Sequence, residues 1–179
     1  MLKRKILLIG GKIKSGKDYI SDKLVRNGGW VKFALADPLK KITAEMYNID
    51  IKHFKTQEGK TKLYIDGRTY RKLLIDTATQ LKRTNKHYFT DLLIRRINED
   101  DTTKDIVISD FRYPYEYERL NQKLGPIFEI QTMKIVRKES ENLEDPSETS
   151  LQDFVFDYTY LNNNSLSDYF YNASFSIFR

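Results

Sequence analysis

KILLIGGKIKSGKDYISDKL, residues Lys5 to Leu24, joins an apolar run, a glycine-containing loop and an apolar pattern of helical spacing. The run Ile6 to Ile9 reads as a strand and the segment after Gly16 as a helix, so the whole is a strand-loop-helix unit. Gly11 and Gly16 bracket four residues and Lys17 follows, which is the G-x-x-x-x-G-K spacing of a phosphate-binding loop. Glycine lets backbone N–H groups turn inward on an anion, the lysine adds a point charge, and the helix adds the positive end of its dipole. Gly11, Lys12, Lys14, Ser15, Gly16, Lys17 and Asp18 are therefore the candidate phosphate ligands.

Asp18 stands where a serine or threonine hydroxyl usually meets magnesium. Two readings stay open for it. Its carboxylate holds the metal, directly or through water, with Lys12 and Lys14 offsetting the added negative charge; or it is an acid in a first helical turn, where the dipole favours one.

The 179 residues suit one domain with a core of its own. Cysteine is absent, which excludes disulfides, thiolate zinc sites and a cysteine nucleophile. His53 and His87 lie far apart and read as surface residues. The apolar run after Lys3, Arg4 and Lys5 is too short for a signal peptide, and no stretch has the length of a membrane span, so a soluble, cytoplasmic protein with no membrane partner is expected. The net charge of +6 and pI near 9.3 suit an anionic partner without saying whether it is a small phosphate or a nucleic acid.

Along the chain, Trp30 to Leu35 reads as a second strand and Asp37-Pro38 as the start of a helix, with Asp37 either its cap or a ligand contact. Asp37, Lys40 and Lys41 then fall beyond a strand's carboxyl end, where open parallel sheets bind ligands. Asn48 to Asp66 is polar, lysine-rich and without period, and reads as an excursion rather than core. Arg68 and Arg71, three apart at the start of a helix, project to one side and could clamp a phosphate, although solvated arginines are the commoner explanation of such a pair. A helix from about His87 to Asn98 turns Phe89, Leu92, Leu93 and Ile97 inward and leaves Arg95 and Arg96 in solvent. The strand Ile106 to Ser109 ends in Asp110, where a second magnesium-side carboxylate is expected, with Arg112 beside it. Ile127 to Val136 reads as a fourth strand nearer the sheet edge, Glu139 to Thr149 as a lid or loop, Phe154 to Leu161 as the last strand and Leu166 to Phe178 as a closing helix. Strands alternating with helices predict an α/β fold with a mainly parallel sheet.

The strings GGKIKSGKD, FALADPLKK, GRTYRKLLIDTATQLKR, VISDFRYPYEYERL and PSETSLQDFVFDYTYLNN together resemble the deoxynucleoside monophosphate kinases of phages and large DNA viruses, in order and over nearly the whole chain. Ser-Gly-Lys-Asp and the Pro-Leu-Lys segment are also similar to animal-type phosphomevalonate kinases, the alternative. The resemblance implies a P-loop nucleoside monophosphate kinase-like three-layer fold, a five-stranded mainly parallel sheet with helices on both faces. It implies a single domain, 1–179, with a helical acceptor-binding insert at about 48–100 and a lid at about 137–149. Gly11 to Asp18 would bind the phosphates of ATP, with Mg2+ held by Asp18 and Asp110. Lys17, Asp110, Arg112 and Arg137 would serve the transfer, Asp37, Lys40, Arg68, Arg71 and Arg112 the acceptor, and Asn162 and Asn163 the adenine. Many relatives carry a histidine shortly before Ser147-Glu148 where this chain has Asp145, which leaves the role of that segment open.

The expected reaction passes the γ-phosphoryl of Mg-ATP to a deoxynucleoside monophosphate, in the host cytoplasm if the protein is viral. A phosphate acceptor has a second pKa of about 6 and is already anionic, so no general base is required. A nucleic-acid partner is disfavoured, because the tyrosines are scattered rather than grouped with basic residues on one strand. Phosphomevalonate as acceptor, a non-catalytic nucleotide binder, and a homodimer contact through Asn48 to Asp66 all remain open.

Overall fold

The structure is a computed structural model that describes residues 3–137 and 149–162. These residues divide into two compact units, one built from the chain up to Ala34 and from Asp100 onward, the other from Leu35–Glu99.

The first unit is organised by β1 (Arg4–Gly10), whose Ile6, Leu7, Leu8 and Ile9 are wholly buried. Successive strand residues face opposite sides, so an unbroken buried run means that both faces of the sheet are covered. β1 lies between β3 (Asp105–Ile108) and β4 (Phe128–Val136), with β2 (Trp30–Phe33) outside β3 and β5 (Tyr158–Leu161) outside β4. The order is β2-β3-β1-β4-β5 and every pairing is parallel, with Leu7 opposite Val107 on one side and Gln131 on the other. The α/β architecture with a five-stranded sheet is the one expected from the sequence, and the sheet is parallel throughout. β4, expected nearer an edge, sits one strand in. Its alternating sequence has a local cause: among the described residues β5 pairs with Met133–Val136 and no strand flanks the first half of β4 on that side.

Leu7, Ile9, Val107, Met133, Ile135 and Tyr160 form one sheet face with Trp30, and Ile20 and Leu24 of α1 (Lys17–Arg26) pack onto it. α6 (Pro114–Leu124) starts at a proline, which suits a first helical turn, and packs against β4 with Leu120 and Leu124 buried. Each such side chain contributes about 1.5–3 kcal/mol on leaving water.

The second unit is helical: α2 (Ala36–Tyr47), a 3-10 turn (Ile51–Phe54), α3 (Gln57–Thr61), α4 (Tyr70–Thr84) and α5 (Tyr88–Asn98). The polar stretch after Asn48 corrects the sequence reading, because it supplies core. Ile49 and Phe54 pack with Ala44 and Leu73, flanked by Tyr47, Ile51, Tyr64, Tyr70 and Leu74. No period was visible because the segment is two short turns, each started by a side-chain cap: Asp50 accepts from the Lys52 N–H and Thr56 from the Gly59 N–H. α2 begins two residues earlier than expected, with Leu35 and not Asp37 at its N-cap, so Asp37 is a first-turn acid. On α5, Phe89, Leu93 and Ile97 are buried as expected, Ile94 joins them, and Leu92 is half-buried. Arg95 is exposed; Arg96, expected in solvent, is half-buried and faces Asp37 at 3.7 Å.

Among the described residues no helix is long and apolar enough to cross a membrane. The expected closing helix, Asn163 and the segment Asp145 to Glu148 lie outside the described residues.

Candidate active site

Because all five strands run parallel, their carboxyl ends form one rim. The loop after β1, Ser109 and Asp110 after β3, Arg137 after β4 and Asn162 after β5 all stand on it, where such sheets bind ligands.

The loop from Gly11 to Gly16 is held in a conformation that its glycines require. Gly11 has φ of 139° and a Cβ there would fall 2.4 Å from the Ile135 carbonyl oxygen; Gly16 has φ of 101°. Both values lie in the region that L side chains avoid. Lys14 adopts φ of 61°, and the Ser15 N–H closes a turn onto the Lys12 carbonyl at 3.2 Å. Lys17 folds back over this loop, its Nζ donating to the carbonyls of Gly11 at 2.6 Å and Lys12 at 2.7 Å. The ammonium is thus fixed at the mouth of a ring of backbone groups. Ser15 is buried, and its Oγ has no hydrogen-bond partner among the described residues.

Asp18 follows at the first turn of α1, largely exposed yet held by two partners. Lys32 of β2 donates through Nζ at 3.1 Å and Ser109 through Oγ at 3.0 Å, both to Oδ1. What burial the carboxyl has pushes it up, but Lys32 and Ser109, with Lys17 nearby, outweigh that and hold it below the usual carboxylate value. Lys32 also reaches Asp22 at 2.9 Å. Burial pushes its ammonium down while the two aspartates push it up further, so it stays charged. Neither Lys32 nor Ser109 was singled out by sequence. Their only signals were a lysine inside the short apolar strand WVKF and a serine closing a strand, both common in solvated edges.

The loop after Ser109 is shaped by Glu116, which is buried and accepts from the backbone N–H groups of Arg112 at 2.9 Å and Tyr113 at 3.0 Å. Ser150 Oγ donates to the Arg112 carbonyl. Arg112 therefore projects from a backbone fixed on both sides, one residue beyond Phe111, which is buried. Asn162 is buried, and its side-chain amide donates to the Ser15 carbonyl at 2.8 Å.

The remaining candidates belong to the second unit. Asp37 accepts from Lys40 Nζ at 3.2 Å. Arg68 precedes Thr69, the N-cap of α4, so it lies outside the helix and the three-residue spacing does not pair it with Arg71. Its guanidinium donates to Asp66 at 2.6 and 2.9 Å and to Asp76 at 2.9 Å, and it lies over the Tyr47 ring at 5.4 Å. Arg71 instead donates to Gln57 Oε1 at 2.6 Å.

These residues fit a nucleotide phosphate with magnesium. The loop, whose Gly11 lies too close to the Ile135 carbonyl of β4 for any side chain, sets an ammonium beside an ionised carboxylate. Among the described residues no cluster of three or more acidic or histidine side chains could hold a metal alone. Mg2+ takes one or two carboxylates together with substrate phosphate oxygens and water.

A family model described as phosphomevalonate kinase matches residues 9–126, well over half of the chain. Among solved structures, the chain is similar to TT1252 from Thermus thermophilus, at 16% identity and a TM-score of 0.47, over 94% of this chain and 93% of that one. It is also similar to a gluconokinase from Sinorhizobium meliloti 1021, at 10% identity and a TM-score of 0.43, over 94% and 89% of the two chains. No curated protein matches. The matching family is the one to which Ser-Gly-Lys-Asp and Pro-Leu-Lys were also similar. The chain is a P-loop kinase of small molecules, and it belongs to the phosphomevalonate kinase family.

Proposed function

We propose that the protein transfers the γ-phosphoryl of Mg-ATP to the phosphate oxygen of a small phosphate monoester, yielding ADP and a diphosphate. The observation that carries this reading is the loop Gly11 to Asp18, with Lys17 fixed across its mouth and Asp18 kept as a carboxylate beside Ser109. Lys17 reaches the β- and γ-phosphates. Asp18 and Asp110 would hold magnesium, which would screen the phosphate charge. Arg112 and Arg137 meet the charge on the transferring group. Phosphoryl transfer of this kind depends on positioning and electrostatic stabilisation, and a monoester is already an anion at neutral pH, so the acceptor needs no base. Asp37, Lys40 and Arg71 are the acceptor-side candidates; Arg68 enters with its guanidinium engaged by Asp66 and Asp76.

Phosphomevalonate is the first acceptor to test, because the family model names it. A deoxynucleoside monophosphate is the second. It is favoured by the string PSETSLQDFVFDYTYLNN, which lies past the end of the matched region and is part of the other resemblance. ADP release measured with Mg-ATP and each of phosphomevalonate, the deoxynucleoside monophosphates and their ribonucleotide counterparts tests both. Turnover with one group and not the other assigns the acceptor, and silence with all of them removes the monoester reading.

A further inference from the structure

Asn162 stands one residue past β5 and is 3% exposed. Its backbone N–H donates to the Val136 carbonyl at 2.7 Å, extending the β4–β5 pairing by one bond. Its side-chain Nδ2 donates to the Ser15 carbonyl at 2.8 Å, a buried contact between residues 147 apart in sequence. A Cβ on Gly16 would fall 2.5 Å from that same Nδ2, so the amide lies directly against the peptide joining Ser15 to Gly16.

A trans peptide points its C=O and N–H in opposite directions. Holding the Ser15 carbonyl toward Asn162 therefore turns the Gly16 N–H away from it. This peptide is able to turn over, since Gly16 has no Cβ to oppose rotation and already sits at φ of 101°. Turned over, it would aim a carbonyl dipole where an anion needs a donor, which converts attraction into repulsion.

We propose that Asn162 is a positioning residue of the phosphate loop, fixing the Ser15–Gly16 peptide with its N–H toward the nucleotide's phosphates, and is not a contact to the adenine base. One donor of its amide is committed to the loop backbone, and its burial leaves little surface for a base. The inference rests on the Mg-ATP reading above.

Calorimetric titration of the full chain with Mg-ATP and with inorganic triphosphate plus Mg2+ tests it, using wild type, Asn162→Ala and Asn162→Leu. Leucine keeps the branched shape and removes the donor. Both variants are expected to lose affinity for ATP and for triphosphate by the same factor, about tenfold for one buried hydrogen bond with its acceptor left unsatisfied. KM for ATP should rise with them while KM for the acceptor stays within about twofold, a split that general loosening of the fold would not give. A loss confined to ATP, with triphosphate unchanged, overturns the proposal and returns Asn162 to the base. A lower melting temperature with both affinities unchanged also overturns it. A wild type that binds neither ligand fails the nucleotide reading itself, and so is distinguishable from either result.

Discussion

At the residue scale, Lys17 and Asp18 carry the proposed transfer. Lys17 spans two carbonyls of its own loop, so Lys17→Ala removes both the charge and a brace. Turnover is expected to fall at least about a hundredfold, a loss typical of removing a group that stabilises transition-state charge; near-normal turnover would place the chemistry elsewhere. Asp18 is kept ionised chiefly by Lys32, against what burial it has. Lys32→Met should therefore raise the Asp18 pKa toward the ordinary value of 3.8 and move the acid limb of Mg-ATP binding to higher pH. A limb that does not move would mean that Asp18 is not the titrating ligand. The loop was legible in the sequence because its information is local: two glycines and a lysine at fixed spacing dictate it. Lys32, Ser109 and Asn162 were not legible in these roles. Each acts through a partner at least ten residues distant that the fold alone brings near, and Asn162 was read as an adenine contact for want of that information.

Elements show the same division. β1 and α5 were recognisable from an unbroken apolar run and from apolar residues at helical spacing, both strong signals over several residues. The 3-10 turn and α3 were not, since elements of four and five residues are too short to display a period. Phe54 is fully buried in that stretch, and Phe54→Ala should destabilise the chain by about 3–5 kcal/mol in denaturant unfolding; a change below about 1 kcal/mol would restore the view of the segment as a surface excursion. Thr69 caps α4 by accepting the Lys72 N–H, and Thr69→Ala should cost about 1 kcal/mol by the same measurement. Arg68, just before that cap, was grouped with Arg71 on a helical spacing that does not extend to it. The error is one of boundary, and boundaries depend on cap geometry more than on composition.

For the molecule as a whole, paired aspartates set the acid behaviour. Asp66 and Asp76 lie below their ordinary value of 3.8 through hydrogen bonds from Arg68 and Lys72. Asp100 also lies low, its burial outweighed by Arg4 and Thr102. A carboxyl depressed on folding contributes stability that is fully present above the unfolded value and is lost as pH falls through the folded one. The melting temperature should therefore hold from neutrality down to about pH 5 and decline modestly below about pH 4, because these pairs are solvent-screened. Arg68→Met should bring that fall to higher pH, and an unchanged profile would show that the Asp66–Arg68–Asp76 network does not govern it. The parallel sheet and its functional rim follow from the alternation of strands and helices, which is why fold class was readable at this scale while the acceptor was not. Phosphorus NMR of the completed reaction tests the central claim most directly. With Mg-ATP and the turned-over monoester, the account predicts that the acceptor's single phosphate resonance is replaced by a coupled pair from a new P–O–P linkage, in step with ADP and absent with Lys17→Ala. ADP formed while the monoester resonance persists and a separate phosphate ester appears would mean transfer to a hydroxyl, and would contradict it.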